Sequence, residues 1–278
     1  MMVKNKNNQT EKRDFMSYEF ISVTTENHVT RITFERPEVL NAIHKPMHDE
    51  MQRALDSFAQ DDDQYICVLK GRGDRAFCAG SDLKAIAASK DPKARQYPKN
   101  GYAGLIERFD LSKPVIAAVD GVAYGGGFEI ALACDIIIAT ENSRFALPEP
   151  LVGAVALGGG LHRLARQIGL KKAMGMILSS DSVDAMKGEE LGFVNEVVAP
   201  YAMEEAIDRW CALILRGSPH AIRASKETVM RSLDEPSLEA AMLNQKSYPA
   251  FSAWYESDDR IEGPRAFAEK RKPDWKGK

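Results

Sequence analysis

The sequence of 278 residues predicts an α/β fold with an all-helical C-terminal region. Two continuous apolar runs, residues 114–119 and 136–139, have the composition of parallel strands covered on both faces. The apolar segment between them, from about Gly127 to Cys134, predicts the helix of a strand–helix–strand unit. No strand pattern occurs after Val198, and the apolar residues that follow have helical spacing.

The other elements are predicted from apolar periodicity and turn residues. The N-terminal part is predicted to have a hairpin of strands 20–24 and 28–34, a helix 46–60 with Pro46 in its first turn, and a strand 65–70, followed by an exposed and mobile loop 88–104. The middle part is predicted to have helices 161–168, 172–178 and 184–191 and a strand 193–198. The C-terminal part is predicted to have helices around Trp210 and over 222–233, 238–254 and 261–270. Residues 1–16 are polar with mixed charge and predict a disordered tail. The predicted organisation is this tail, a core of residues 17–200, and a helical region of residues 201–278.

Composition excludes several classes of protein. Hydrophobic residues make up 44% and charged residues 28%, as in ordinary globular proteins. A net charge of −3 provides no basic field for nucleic acid, and no apolar run approaches the length of a membrane span. The cysteines have no CxxC pairing, which predicts free thiols in a reducing compartment and a cytoplasmic protein: Cys67, Cys78, Cys134 and Cys211.

A triple glycine, Gly125-Gly126-Gly127, stands between a strand and a helix. Amides at a helix N-terminus lack intrahelical acceptors, and glycines let an oxygen approach them closely. The turn therefore suits an oxyanion or a phosphate. The spacing from Gly121 does not match the dinucleotide-binding pattern GxGxxG. An alternative interpretation also stays open, in which the glycines only form a tight turn that needs positive φ.

Two glutamates are candidate acid–base residues. Glu129 lies in the first turn of the predicted helix among apolar neighbours, and a buried carboxylate is costly unless it is paired or used. Its alternative role is to stabilise the helix dipole. Glu149 is held between Pro148 and Pro150, which stiffen the backbone, and could also be an ordinary surface acid.

A third segment, Phe77-Cys78-Ala79-Gly80-Ser81-Asp82-Leu83-Lys84, reads as a strand entering a helix, with Asp82 as its cap. Its backbone could instead supply a second oxyanion donor. Ser81 is not predicted to be a nucleophile, because the elbow motif GxSxG is absent. His44 and His48 have metal-like spacing, but Pro46 stands between them and no metal is predicted.

These three segments together resemble the enoyl-CoA hydratase/isomerase (crotonase) superfamily, in order along the chain from about Tyr18. The resemblance implies a spiral of strand–strand–helix turns and a helical C-terminus that forms homotrimers, commonly paired into hexamers. It implies that the amides of Ser81 and Gly126 form the oxyanion hole. It also implies a hydratase, because both glutamates are present as Glu129 and Glu149.

The same resemblance implies an acyl-CoA thioester as substrate and no separate cofactor. The residues it implies for coenzyme A binding are Ala79, Ser81, Asp82, Leu83, Lys84, Phe267 and Lys270. Residues 104–127 and the C-terminal stretch 261–277 look most similar to the carnitinyl-CoA dehydratase-like members. Ser81, small where those members have a bulky aromatic residue, and Ala156-Leu157, in place of the Pro-Gly of short-chain hydratases, are departures expected at the acyl pocket.

The predicted reaction is reversible addition of water to an enoyl-CoA, with crotonobetainyl-CoA as a candidate substrate. A double-bond isomerase is an alternative, since one carboxylate could move the proton. A non-catalytic acyl-CoA-binding protein is the second alternative, although such a protein is expected to lose one of the two glutamates.

Overall fold

The computed structural model describes residues 17–90 and 96–277, so the predicted tail 1–16 lies outside the described residues. The strands are β1 (Ile21–Glu26), β2 (Val29–Phe34), β3 (Ile66–Gly71), β4 (Ala76–Cys78), β5 (Val115–Val119), β6 (Val122–Tyr124), β7 (Ile136–Thr140), β8 (Arg144–Ala146), β9 (Val183–Asp184) and β10 (Glu196–Val198). The α-helices are α1 (Lys45–Gln60), α2 (Leu83–Ala88), α3 (Gly126–Ala133), α4 (Gly160–Ile168), α5 (Leu170–Ser179), α6 (Ala185–Leu191), α7 (Met203–Leu215), α8 (Pro219–Ser232), α9 (Leu238–Asn244), α10 (Pro249–Glu256) and α11 (Asp259–Ala268). None of these described helices is long and apolar enough to cross a membrane.

The strands form two sheets. A larger sheet has the order β1-β2-β3-β5-β7-β10, and a smaller one has the order β4-β6-β8-β9. The pair β1–β2 is the predicted hairpin, turned by Asn27 and His28, which both have positive φ. From β2 to β10 the larger sheet is parallel, which explains the continuous apolar runs of β5 and β7.

The smaller sheet positions the site. Strands β4, β6 and β8 are neighbours and run parallel, so their carboxyl ends meet at one edge. The residues that follow these ends are Ser81 after β4, Gly125 and Gly126 after β6, and Glu149 after β8. Loops at the carboxyl ends of parallel strands are the usual place for ligand sites in α/β folds.

Two apolar cores flank the larger sheet. The main one lies between the two sheets and includes α1, α3 and α4. A second one lies on the outer face, where Ile207 and Cys211 of α7 pack against Val68, Ile116 and Ile138. The helical region therefore begins in contact with the sheet, and the boundary near residue 200 stays a prediction.

The α/β class and the helical C-terminal region are confirmed, and no described residue beyond β10 is in a strand. One predicted helix, 238–254, is wrong in its continuity, because Tyr248 is extended and Pro249 starts a new helix. The predicted exposed loop 88–104 is wrong at its end: Tyr102, Ala103 and Gly104 form a buried 3₁₀ turn. Strand β4 is the strand predicted before Ala79, whereas the short strands β6 and β8 were not predicted, since three residues are too few for periodicity to show.

Candidate active site

Two backbone segments meet at the site. A Cβ atom at Gly80 would lie 2.9 Å from the carbonyl oxygen of Tyr124 and 3.1 Å from the amide nitrogen of Gly126. Gly80 has φ +92°, so glycine is required there both for its conformation and for the close approach. Ser81 follows directly, which brings the two predicted amide donors into one small region.

Both of these amides are available to a ligand. Gly126 is the first residue of α3, where the amide has no intrahelical acceptor. Among the described residues, neither Gly126 nor Ser81 donates its backbone N–H to a protein acceptor. Two free donors beside each other can hold one oxygen atom.

The segment that carries Ser81 is anchored by its neighbour Asp82. Its carboxylate accepts a hydrogen bond of 2.9 Å from the amide of Ala85, as the predicted helix cap. It also forms a 2.9 Å ion pair with Arg36, in which both side chains are largely buried. Burial alone would raise the pKa of Asp82, but the Ala85 amide and the Arg36 guanidinium outweigh it and hold the pKa below its ordinary value.

Glu129 projects from α3 and is 4% exposed. Its Oε1 accepts a 3.0 Å hydrogen bond from the amide of Gly160, and a Cβ atom at Gly158 would overlap its Oε2. Burial, with a contribution from the charge of Glu149, raises the pKa of Glu129 to about 7. The group is therefore poised to gain or lose a proton near neutral pH.

Glu149 begins a 3₁₀ turn after Pro148, and burial raises its pKa as well. Its Oε2 is buried without a hydrogen-bond partner among the described residues. Its Oε1 would lie 2.8 Å from a Cβ atom at Gly125, where φ is +52°. An unpaired buried carboxylate oxygen costs folding free energy, so its retention favours a functional role.

The structure adds Tyr102, which sequence reasoning missed. Its side chain is 2% exposed, and the Ser81 hydroxyl donates a hydrogen bond to its Oη over 3.4 Å. The available signal was an aromatic residue flanked by Gly101 and Gly104. His48, one of the two histidines with metal-like spacing, supports this turn by accepting a 3.0 Å hydrogen bond from Ala103 on Nδ1.

The residues predicted to bind coenzyme A fall into two groups. Ala79, Ser81 and Asp82 lie in the site segment, and the side chains of Leu83 and Lys84 are exposed on α2. Phe267 is 87% exposed at the end of α11. Within the described chain, no hydrogen bond or ion pair links Phe267 or Lys270 to this segment.

The buried carboxyl group of Glu129 and the partly buried one of Glu149, next to two free amides, form the kind of arrangement used for acid–base chemistry beside a bound oxygen anion. A family model for enoyl-CoA hydratase/isomerase matches residues 24–278, and the chain belongs to that family. The predicted membership of the crotonase superfamily is thereby confirmed, as is the prediction of a hydratase or dehydratase of that family.

Relatives named carnitinyl-CoA dehydratase share 38% identity with the chain. That of Proteus mirabilis aligns over 93% of this chain and 98% of its own length, and that of Salmonella typhi over 94% and 99%. Among solved structures, an enoyl-CoA hydratase from Bacillus anthracis has a TM-score of 0.85 at 31% identity, covering 94% of this chain and 100% of the other. One from Mycobacterium tuberculosis has a TM-score of 0.85 at 34% identity, covering 93% and 99%.

Proposed function

We propose that this protein adds water reversibly across the 2,3 double bond of a CoA thioester, and is therefore a carbon–oxygen lyase. The observation that carries this proposal is the pairing of buried Glu129 with partly buried Glu149. One carboxyl titrates near neutrality, and the other keeps an oxygen without a protein partner among the described residues. Family membership and the names of the relatives support the same reaction class.

In this proposal the amides of Ser81 and Gly126 hold the thioester oxygen. Electron density moves onto that oxygen as the enolate forms, and preformed donors stabilise it without reorganisation. Loss of one such donor typically costs about 10²–10³ in rate. The free state of both amides in the described chain supports these roles.

The two glutamates carry out the proton transfers. Glu129 removes a proton from water as the water oxygen bonds to C3, and the electrons of the double bond move toward the thioester oxygen. Glu149 then donates a proton to C2, so one water molecule is added in all. Dehydration reverses each step, and the proton belongs to the coupled pair rather than to one group.

The coenzyme A portion is proposed to lie along Ala79, Ser81, Asp82, Leu83 and Lys84, with Phe267 and Lys270 reaching it from a neighbouring subunit. Phe267 at the end of α11 and Lys270 just after it are both exposed, which supports this arrangement because they can contact another chain. We propose a homotrimer or homohexamer in the cytoplasm that uses no cofactor besides the coenzyme A of its substrate.

Crotonobetainyl-CoA is the substrate proposed for the first test, because the relatives at 38% identity are named carnitinyl-CoA dehydratases. Crotonyl-CoA, which lacks the quaternary ammonium group, is the matched comparison. A higher kcat/KM for crotonobetainyl-CoA supports the assignment. A higher value for crotonyl-CoA would contradict the acyl group and leave the reaction class intact.

The reaction class is tested by following the absorbance of the conjugated thioester while the products are identified by mass spectrometry. Hydration predicts loss of absorbance with a gain of one water. An isomerase would give a product of unchanged mass, and a binding protein would give no reaction. Either of the latter results contradicts the proposal.

A further inference from the structure

The Tyr102 phenol lies against both residues that supply the proposed oxyanion donors. Its Oη is 3.4 Å from the Ser81 hydroxyl, and a Cβ atom at Gly126 would overlap its Cζ and Cε1. The hydroxyl end of the ring is therefore in contact with both segments that supply the amides. A thioester oxygen held by the amides of the same two residues would therefore bind close to this hydroxyl.

The hydrogen-bonding state of this phenol leaves its proton available. Ser81 donates to Oη, so the Tyr102 proton can go to another acceptor. A distance of 3.4 Å is also long for a bond between two hydroxyls, which usually measures about 2.7–2.8 Å. Burial raises the pKa of Tyr102 well above its ordinary value, so the group stays protonated.

The surrounding structure holds the ring in place. His48 packs edge-on at 4.6 Å between ring centroids and Tyr97 at 5.4 Å. His48 also accepts the amide of Ala103, whose φ is +53°, and burial lowers the pKa of His48 to about 4, which keeps it a neutral acceptor. Arg163 binds the carbonyl of Ile106 over 2.6 Å at the end of the same segment.

A purely packing role would not account for the hydroxyl. Phenylalanine would fill the same space and keep the same edge-on contacts. Among the described residues the hydroxyl of Tyr102 has one long hydrogen bond, and burying a hydroxyl so weakly bonded costs free energy. A ligand oxygen that accepts a hydrogen bond from the Tyr102 hydroxyl would remove this free-energy cost. A donor that is fixed before the substrate arrives also stabilises developing charge most effectively.

We propose that the Tyr102 hydroxyl is a third hydrogen-bond donor to the thioester oxygen, beside the amides of Ser81 and Gly126. Tyr102 stays protonated throughout and takes part in no proton transfer. The inference rests on the proposed function of the same site, and it adds a catalytic side chain to an oxyanion hole otherwise made of backbone.

The test uses Tyr102→Phe, with Tyr97→Phe as the control from the same ring cluster. Hydration of crotonyl-CoA by Tyr102→Phe is expected to show kcat lowered by about 10-fold or more, with KM changed less than about twofold. The control is expected to stay within about twofold of wild type. Circular dichroism and the elution volume of each variant establish that the fold and assembly are retained.

A second measurement separates this inference from the proposed function. Acetoacetyl-CoA ionises to an enolate whose near-ultraviolet absorbance reports its protonation without any addition of water. Bound to Tyr102→Phe, its apparent pKa is expected to be about one unit higher than on wild type, equivalent to the 10-fold loss above. If wild type binds this enolate but hydrates nothing, the proposed function fails while the role of Tyr102 still holds.

Wild-type values of both kcat and enolate pKa in Tyr102→Phe would overturn the proposal. A change confined to the preference among acyl chains, with enolate pKa unaltered, would overturn it equally. If Tyr102→Phe does not fold, Ser81→Ala serves as the second variant, because it keeps the amide and removes the hydroxyl that orients Oη. It is expected to raise the enolate pKa in the same direction by a smaller amount, and no change would contradict the proposal.

Discussion

The amide of Gly160 donates a 3.0 Å hydrogen bond to Oε1 of Glu129, which joins the first residue of α4 to the carboxyl group of α3. The other oxygen of that carboxyl faces Gly158. Both glycines leave space for this carboxyl, and the backbone hydrogen bonds of both oppose the effect of burial on its pKa. The carboxyl is held in one orientation with no ion pair among the described residues to fix its charge, and its protonation can follow the reaction.

The first prediction concerns stability and pH. Burial raises the pKa of Glu129 from 4.5 to about 7, so the folded state holds this proton more tightly than the unfolded chain. Its ionisation therefore destabilises the fold as pH rises from about 4.5 to about 7. Glu129→Gln removes that cost and is expected to be more stable than wild type at pH 8 by about 3 kcal/mol. Urea unfolding at pH 8 and at pH 4.5 measures it.

The difference between this variant and wild type should shrink to a few tenths of a kcal/mol at pH 4.5, where the carboxyl is protonated in the folded state and half protonated in the unfolded chain. A stability gain that was equal at both pH values would show that the group is not titrating as described.

The second prediction concerns catalysis by the pair. Glu129→Gln and Glu149→Gln are each expected to lower hydratase turnover by at least about 10², with CoA-ester binding largely retained, because both groups are proposed to move protons rather than to pack. The double variant should be little worse than the weaker single one, since groups acting as a unit are not additive. Steady-state kinetics and calorimetric binding of a substrate analogue test this.

The control is Glu141→Gln, an exposed glutamate after β7, which should keep wild-type turnover. Near-normal turnover in either site variant would remove that glutamate from the mechanism.

The third prediction uses two glycines. A Cβ atom at Gly158 would overlap Oε2 of Glu129, so Gly158→Ala is expected to displace the carboxyl and lower turnover by at least about 10². Gly175 lies inside α5 with no atom within 4 Å of the added Cβ. Gly175→Ala should keep turnover and gain about 0.5–1 kcal/mol from helix propensity. Kinetics and thermal unfolding of both variants decide, and equal turnover in the two would refute the steric role of Gly158.

The fourth prediction concerns the end of α11. Phe267→Ala and Lys270→Ala are expected to raise KM for CoA esters several-fold and leave unfolding of the chain nearly unchanged, because both residues are exposed. Deleting residues from Ile261 is a less specific test. It would also remove the Trp275 indole, which donates to the carbonyl of Arg216 over 2.9 Å.

Tyr201→Ala, at a side chain that is 92% exposed, is the control for general surface effects. Sedimentation should show that assembly is intact before KM is compared. Unchanged KM in an intact assembly would exclude these two residues from coenzyme A binding.

The parts of the fold that depend on long apolar patterns were predictable. Strands β5 and β7 and helix α3 follow from continuous apolar runs and a glycine turn, which encode their burial locally. The break at Tyr248 was missed because the apolar spacing continues across it, although proline at 249 disfavours a helical residue before it.

The residues of the candidate site likewise divide into those that the sequence predicts and one that it does not. Glu129, Glu149 and the glycine turn carry local signals, whereas Tyr102 belongs to the site only through contacts with Ser81 and Gly126. Those contacts join segments more than 20 residues apart, and no pattern along the chain records them. The raised pKa of Glu129 likewise depends on burial by α4, which only the folded chain shows.

The described cysteines are all buried, and this gives the molecule built-in reporters of local opening. Burial raises the pKa of Cys78 to about 12 and that of Cys211 to about 11, so both thiols resist alkylation in the closed structure. Cys78 accepts a hydrogen bond from the amide of Gly80 beside the site, and Cys211 lies on the face of α7 that packs against the far side of the larger sheet. The alkylation rate of Cys78 therefore measures how often the site segment opens, and that of Cys211 measures how often α7 separates from the larger sheet. Equal rates would mean that the two regions open together.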